Sequence, residues 1–190
     1  MRERSPASVP LDPKAPYVLD TRPLGRHPGA RVDLRRTVPA PTGLDLDVVG
    51  VPPGALIALD LRLESVTEGV LVTGTVTAPV AGECARCLDP VSDTVVVELC
   101  ELYAYPESAT DETSDDEVPR LVDERIDLTS AVRDAVVLAL PVAPLCGPDC
   151  PGLCAECGGR LADLGAGHSH QVLDPRWAAL TDMSERLGTE

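Results

Sequence analysis

The residues of this chain that are best suited to chemistry are cysteines and histidines near its C-terminal end. Six of them lie within one short segment: Cys146, Cys150, Cys154, Cys157, His168 and His170. Proline and glycine separate the four thiols, and such residues turn the backbone too often for a helix or a packed strand. Paired thiols on glycine-rich turns can point at one ion, as they do in structural zinc sites. The spacing therefore predicts zinc binding rather than free or disulfide-bonded thiols.

A second pair of thiols, Cys84 and Cys87, provides half of a tetrahedral site and needs two further ligands. In a first assignment this pair binds zinc with Cys146 and Cys150. The other four candidates would then form a second site: Cys154, Cys157, His168 and His170. In an alternative assignment one zinc ion binds the four cysteines of the C-terminal segment, and Cys84 and Cys87 remain a free dithiol. We favour the first, because it uses every candidate and each site ties distant segments together. The chain would thus hold one or two zinc ions.

Other uses of these cysteines fit the sequence less well. A redox motif of the thioredoxin type should open a helix after a strand, whereas Cys84-Ala-Arg-Cys87 lies between two strand patterns. The spacing of ferredoxin-type iron–sulfur ligands is absent. Cys100 stands alone within a predicted strand, and we expect it to pack as a small buried apolar residue.

The elements that must position these ligands are mostly strands. Ala55–Val66 gives the clearest pattern, because aliphatic residues alternate along it with polar or small ones. Val70–Ala81 and Val91–Tyr105 repeat the alternation, with the Cys84 and Cys87 pair at the turn between them. The sequence also contains three shorter candidates: Tyr17–Asp20, Arg31–Val38 and Leu44–Val51. Consecutive strands of this kind predict an antiparallel β meander or a small barrel.

Two helices complete the predicted α+β fold. Asp127–Leu140 has apolar residues at helical spacing, a capping aspartate and a proline beyond its end, so it should cover the sheet and lead Cys146 back toward Cys84. Asp174-Pro175 should open a final short helix. The predicted organisation is therefore a disordered arm (1–16), a β-rich body with its covering helix (17–145) and a zinc-knuckle-like Cys/His segment with the last helix (146–190). Within the body, residues 106–119 predict a mobile acidic loop.

Composition and charge limit the possible partners. The net charge is −15, although residues 1–40 carry eight of the sixteen basic residues and only four acids. An acidic body should repel a phosphate backbone and attract basic proteins. The N-terminal arginines that could touch RNA are Arg22, Arg26, Arg31, Arg35 and Arg36. The N-terminus has no apolar run typical of a signal peptide, and no stretch is long and apolar enough for a membrane helix. We therefore expect a cytoplasmic protein with reduced thiols.

Four motifs together resemble one family. They are Cys84-Ala-Arg-Cys87-Leu-Asp-Pro-Val91, the segment from Ile126 to Pro141 that ends in Leu-Ala-Leu-Pro, the cysteine run Leu145–Gly158, and Asp174-Pro-Arg-Trp-Ala-Ala-Leu180. In this order they resemble the YceD family, the large ribosomal RNA subunit accumulation proteins, over most of the chain from about residue 17. The long arm and acidic loop are similar to the actinobacterial branch. His168 and His170 stand where that family usually has a Cys-x-Cys pair, and histidine also binds zinc.

The resemblance implies a non-enzymatic, zinc-stabilised factor in large ribosomal subunit biogenesis that supports 23S rRNA accumulation or processing. Its expected partner is a large-subunit ribosomal protein, a 23S rRNA precursor or both, with no membrane and no small-molecule substrate. The residues agree, since no nucleophile with a paired base is apparent and a four-ligand zinc site leaves no position for water. The alternative is a metal-dependent ribonuclease acting on rRNA precursors. That enzyme would need an open cluster of acids, for which Asp45, Asp47 and Asp60 are the candidates.

Overall fold

The computed structural model describes residues 10–108 and 118–170, together with Arg176 and Leu180. Within these residues the chain forms seven strands and one helix, and it divides into two compact units between Cys146 and Gly147. The strands are β1 (Val18–Asp20), β2 (Arg31–Pro39), β3 (Val49–Gly50), β4 (Leu56–Ser65), β5 (Gly69–Glu83), β6 (Pro90–Ala104) and β7 (Arg125–Asp127); the helix is α1 (Thr129–Ala139). The α+β prediction is confirmed.

The main sheet is antiparallel throughout. Strand β2 pairs with β4 and β4 with β5, while β3 pairs with the far end of β5 on the same side as β4. Strand β6 pairs with the whole length of β5 on its other side. The meander β4–β5–β6 was predicted from the sequence. Within the part of the chain described here, the sheet stays open, so the alternative of a small barrel does not apply.

The core is largely aliphatic because alternate side chains along β4 and β5 lie on one buried face of the sheet. In β4 the four side chains Ile57, Leu59, Leu61 and Leu63 are at most 4% exposed, whereas Ala58, Asp60 and Arg62 between them are exposed. Burial of a large aliphatic side chain contributes about 1.5–3 kcal/mol. Partners from β5 and β6 complete this layer, among them Val72, Val76, Ala78, Leu99 and Tyr103.

Helix α1 covers this layer with an apolar stripe. Leu128, Val132 and Val136, each four residues from the next, are fully buried, and the helix packs on β5 and β6. The helix was predicted to start at Asp127, but that residue ends β7, which pairs with β1. Its carboxylate still accepts a hydrogen bond from the Thr129 backbone N–H at 2.8 Å. Asp127 therefore binds an N–H group at the start of α1, although it lies in β7 rather than in the helix.

Two local predictions are wrong. Leu44–Val51 is not one strand, because it folds back on itself: the Leu46 N–H donates to the Val49 carbonyl and the Val51 N–H to the Leu44 carbonyl. Only β3 remains extended, since Gly50 allows the backbone of Asp45 to approach closely. Cys100 is exposed rather than buried, because its register opposite Thr73 places it on the face of the sheet turned away from α1.

Other predicted segments fall largely outside the described residues. Residues 1–9 of the arm, 109–117 of the acidic loop and nearly all of the final helix from Asp174 are among them, so these predictions stay predictions. The described part of the arm, residues 10–16, contains a turn in which the Ala15 N–H donates to the Asp12 carbonyl. No helix within the described ranges is long and apolar enough to cross a membrane.

Candidate metal centres

The Cys84 turn, residues 84–89, connects β5 to β6 and fixes the first pair of thiols. The Cys84 N–H donates to the Asp89 carbonyl at 2.7 Å, and the Leu88 N–H donates back to the Cys84 carbonyl at 2.9 Å. Leu88 closes the turn with φ of 63°, a left-handed conformation that is uncommon outside glycine. The turn also contacts the segment after α1, since the Ala85 N–H donates to the Pro144 carbonyl at 2.8 Å.

The Cys154 turn, residues 154–159, repeats this geometry. The Cys154 N–H donates to the Gly159 carbonyl at 2.8 Å, and the Gly158 N–H donates to the Cys154 carbonyl at 2.9 Å. Gly158 takes the left-handed position with φ of 68°. Each turn thus holds two cysteines three positions apart on a tight backbone loop, which is the arrangement that zinc knuckles use to present two sulfurs to one ion.

The structure gathers the predicted ligands into two groups of four. The four-cysteine cluster consists of Cys84, Cys87, Cys146 and Cys150, and the cysteine–histidine cluster consists of Cys154, Cys157, His168 and His170. In each cluster the candidate ligand atoms all lie within 4.8 Å of one another. This is the grouping of the first assignment. The alternative, with one ion on the four C-terminal cysteines and a free Cys84 and Cys87 dithiol, does not match the positions of these atoms.

The four-cysteine cluster is largely shielded from solvent. Cys84 is 0% exposed, Cys87 7% and Cys150 8%, while Cys146 is exposed. The Cys87 and Cys146 sulfurs lie 3.5 Å apart, and none of the seven cysteines forms a disulfide. A zinc ion with bonds of about 2.3 Å to tetrahedral sulfurs holds them ~3.8 Å apart. The donor set and its spacing therefore fit a structural zinc ion.

The cysteine–histidine cluster is more open and contains both histidine rings. The His168 Nε2 atom lies 3.4 Å from the Cys154 sulfur and 3.6 Å from the Cys157 sulfur. The Nε2 atoms of His168 and His170 are 2.8 Å apart, and their rings meet edge to face. All four donor atoms are of kinds that zinc accepts, and they lie within 4.8 Å of one another. This donor set also fits zinc, with histidine supplying half of the ligands.

The backbone around each turn favours thiolates. Burial acts to raise the pKa of the Cys84 thiol, but hydrogen bonds from the backbone N–H groups of Cys146, Arg86 and Cys87 outweigh it. The net effect lowers that pKa from its ordinary value of 9.0 to about 6. Backbone N–H groups of Cys157 and Glu156, followed by the His168 side chain, lower the pKa of Cys154 to about 6 as well. Thiolate is the form that binds metal.

The structure does not bring the candidate nuclease residues together. Asp45 and Asp47 lie in or beside the turn before β3, and Asp60 projects from β4 to accept a hydrogen bond from Arg35 at 3.0 Å. Among the described residues, only the four-cysteine and cysteine–histidine clusters group enough donors for a metal ion. Sequence reasoning missed the shared geometry of the two cysteine turns, although the glycine after Cys157 was a signal for one of them.

The chain is a small α+β protein with candidate structural metal sites. Its described residues form an open antiparallel sheet, one covering helix, the four-cysteine cluster and the cysteine–histidine cluster. The chain belongs to the YceD family. The family described as large ribosomal RNA subunit accumulation protein YceD matches residues 72–184, a range that contains every predicted metal ligand. The resemblance inferred from the motifs is therefore confirmed.

The relatives found among curated proteins are mycobacterial. An uncharacterized protein of Mycobacterium tuberculosis (strain ATCC 25618 / H37Rv) is 56% identical over 177 residues, which are 93% of this chain and 84% of the relative. Another, of Mycobacterium leprae (strain TN), is 53% identical over 170 residues, 89% of this chain and 78% of the relative. These matches agree with an actinobacterial member of the family. No solved structure matches the chain.

Proposed function

We propose that this protein is a non-enzymatic, zinc-stabilised factor in large ribosomal subunit biogenesis, which supports 23S rRNA accumulation or processing in the cytoplasm. The observation that carries the proposal is the presence of two complete ligand quartets inside the region that matches the family. A quartet that binds zinc through four protein ligands has no open position for water or substrate, so each ion would be structural. The zinc ions would hold the turns in place while other surfaces bind the partner.

The charge distribution favours a basic ribosomal protein over RNA as the direct partner. Ten acids and no lysine or arginine lie between Cys87 and Pro119, a density that attracts basic proteins and repels phosphate. Three of the five N-terminal arginines that could have bound RNA are paired with acids of the same chain. These pairs are Arg22 with Asp20, Arg26 with Glu107 and Glu124, and Arg35 with Asp60.

The experiment is a pull-down at moderate salt, combined with sedimentation of cell extract. We expect the tagged protein to retain a basic large-subunit protein and to sediment with precursors of the large subunit. A matched sample treated with ribonuclease distinguishes the partners, because binding to a protein survives and binding to precursor rRNA is lost. If no ribosomal protein is retained and the chain is absent from those fractions, the proposal fails.

Incubation with precursor rRNA and Mg²⁺ tests the non-enzymatic part of the proposal. We expect the RNA to remain intact, since a structural zinc ion activates no water. The control is the same incubation with the chain denatured beforehand. A defined cut that only the native protein produces would contradict the proposal.

A further inference from the structure

Strand β6 forms one edge of the main sheet and is as long as the strand it pairs with. Hydrogen bonds at both ends fix its orientation: the Tyr105 N–H donates to the Glu68 carbonyl, and the Cys84 N–H donates to the Asp89 carbonyl. These two bonds show that the odd-numbered residues of β6 exchange hydrogen bonds with β5. The even-numbered residues therefore direct their N–H and C=O groups away from β5, toward the outer edge of the sheet. Pro90, which has no N–H, takes an even position as this pattern requires.

One end of that outer side is already paired. The Ala104 N–H donates to the Pro119 carbonyl and the Leu121 N–H donates to the Ala104 carbonyl, so Arg120 forms an isolated parallel bridge with Ala104. Between Ser92 and Leu102, no described residue outside β6 bonds to the outward backbone groups, and within β6 the Thr94 N–H donates to the Asp93 carboxylate at 2.7 Å. A long edge with unpaired N–H and C=O groups is a template for an added strand.

The charged side chains of β6 are acidic, so they favour a basic partner strand. Strand β6 contains Asp93, Glu98 and Glu101 and no basic residue. Asp93 and Glu101 lie on one face of the strand, and Glu98 lies on the other face with Val96, which is 64% exposed. Acids opposite basic residues on a paired strand stabilise the pair, whereas acids opposite acids destabilise it. A second copy of β6 would therefore be repelled, and so would a nucleic acid.

We propose that the outer edge of β6 binds an extended, basic segment of a protein partner as an added antiparallel or parallel strand. The inference rests on the proposed function and deepens it, because it names the surface through which a basic ribosomal protein would bind. Backbone hydrogen bonds would provide the affinity, and lysine or arginine side chains opposite Asp93 and Glu101, which share one face of β6, would provide the selectivity. Val96 would pack against an apolar side chain of the added strand.

The first test uses peptides of about twelve residues that alternate lysine with valine, a length that matches the unpaired edge. Their binding to the full chain is followed by fluorescence anisotropy. We expect the lysine peptide to bind, and a peptide with glutamate in place of lysine not to bind. A lysine peptide with N-methyl groups on alternate backbone nitrogens keeps its charge but loses hydrogen bonds along one side, so it should bind about ten-fold more weakly. Equal binding of the methylated and unmethylated peptides would overturn the inference.

The second test blocks the edge in the protein itself. Val96→Pro removes an outward N–H without taking a hydrogen bond from β5, and proline is tolerated at such edge positions. We expect it to weaken binding of the lysine peptide about ten-fold. The matched control is Thr37→Pro on β2, the opposite edge of the sheet, where the register also directs the N–H outward. Circular dichroism verifies that both variants fold. If one of them does not fold, the methylated peptide still tests the inference on the unsubstituted chain.

The same variants separate this inference from the proposed function. If the unsubstituted chain retains a basic ribosomal protein and Val96→Pro retains it equally well, the partner binds elsewhere and the edge inference fails alone. If the unsubstituted chain retains no ribosomal protein, the proposed function fails, while the peptide measurements still decide whether β6 accepts a basic strand.

Discussion

Leu88 and Gly158 occupy the same position in the two cysteine turns, yet only one of them is glycine. Both have φ near 65°, a region that costs an ordinary L-residue about 1–2 kcal/mol. Leu88 is tolerated there because its side chain is mostly exposed and the Cys84 and Leu88 hydrogen bonds close the turn around it. A leucine at this point gives no local signal of a turn, so the repeated geometry could not be inferred from the residues alone.

The first residue-scale prediction concerns Gly158→Ala. A Cβ at this position meets nothing within 4 Å, so the cost comes from the positive φ alone. We expect the variant to be about 1 kcal/mol less stable and to lose zinc to a competing chelator more readily. Gly147→Ala is the matched control, because it has equal space without a positive φ. Chelator competition measures both, and equal zinc retention by the two variants would refute the interpretation of the Cys154 turn.

The second residue-scale prediction concerns Tyr17 at alkaline pH. The residue is 4% exposed, its hydroxyl donates to the Pro39 carbonyl at 2.9 Å, and burial raises its pKa to about 12. Because the folded pKa lies above the ordinary value of 10.0, this residue's contribution to stability is complete below pH 10 and is lost as the pH rises through about 12. Tyr17→Phe should cost about 1 kcal/mol at neutral pH through the lost hydrogen bond.

The same variant should also lose stability less steeply between pH 10 and 12. Denaturant titrations across that interval measure the difference, and tyrosinate absorbance reports the ionisation directly. A decline as steep in Tyr17→Phe as in the original chain would show that another group governs the alkaline limit.

At the scale of elements, strands with a strict two-residue period could be predicted and short ones could not. Strand β4 was evident because four buried aliphatic residues alternate with exposed ones. Strands β3 and β7 are two and three residues long and take their extended form from distant partners, β5 and β1, so no local pattern marks them. The alternation around Leu44–Val51 was misleading because a turn hidden within it reverses the chain.

The prediction at this scale contrasts two leucines of β4. Leu61 is 2% exposed and belongs to the hydrophobic core, whereas Leu56, at the start of the same strand, is 62% exposed. Leu61→Ala should destabilise the protein by about 2–5 kcal/mol through lost burial and a cavity. Leu56→Ala removes the same atoms and should change stability by about 0.5 kcal/mol or less. Urea denaturation compares them, and similar losses in both variants would contradict the assignment of the core face.

At the scale of the whole molecule, the metal ligands could be predicted as residue types but their grouping depended on the fold. Local spacing marked Cys84 and Cys87, and also Cys154 and Cys157, as pairs. Which distant cysteines join the first pair depends on the meander and on α1, which bring Pro144 within hydrogen-bonding distance of Ala85. The helix was predicted to return the chain in this way, and the Cys87 and Cys146 sulfurs do lie 3.5 Å apart.

Metal content and metal removal test the molecule as a whole. Elemental analysis should find two zinc ions per chain, and one in each of Cys84→Ser and Cys154→Ser, because each substitution breaks one quartet. Cys100→Ser is the matched control and should keep both ions, since Cys100 belongs to neither cluster.

Metal removal is the second prediction at this scale. A strong chelator should lower the melting temperature of the reduced protein, and added zinc should restore it. The reason is that an ion that binds only the folded state stabilises it by about 4 kcal/mol when present at a thousand times its dissociation constant. If chelation leaves the melting temperature unchanged, the clusters do not stabilise the fold, and the exposed thiols of Cys146 and Cys157 would then need another explanation.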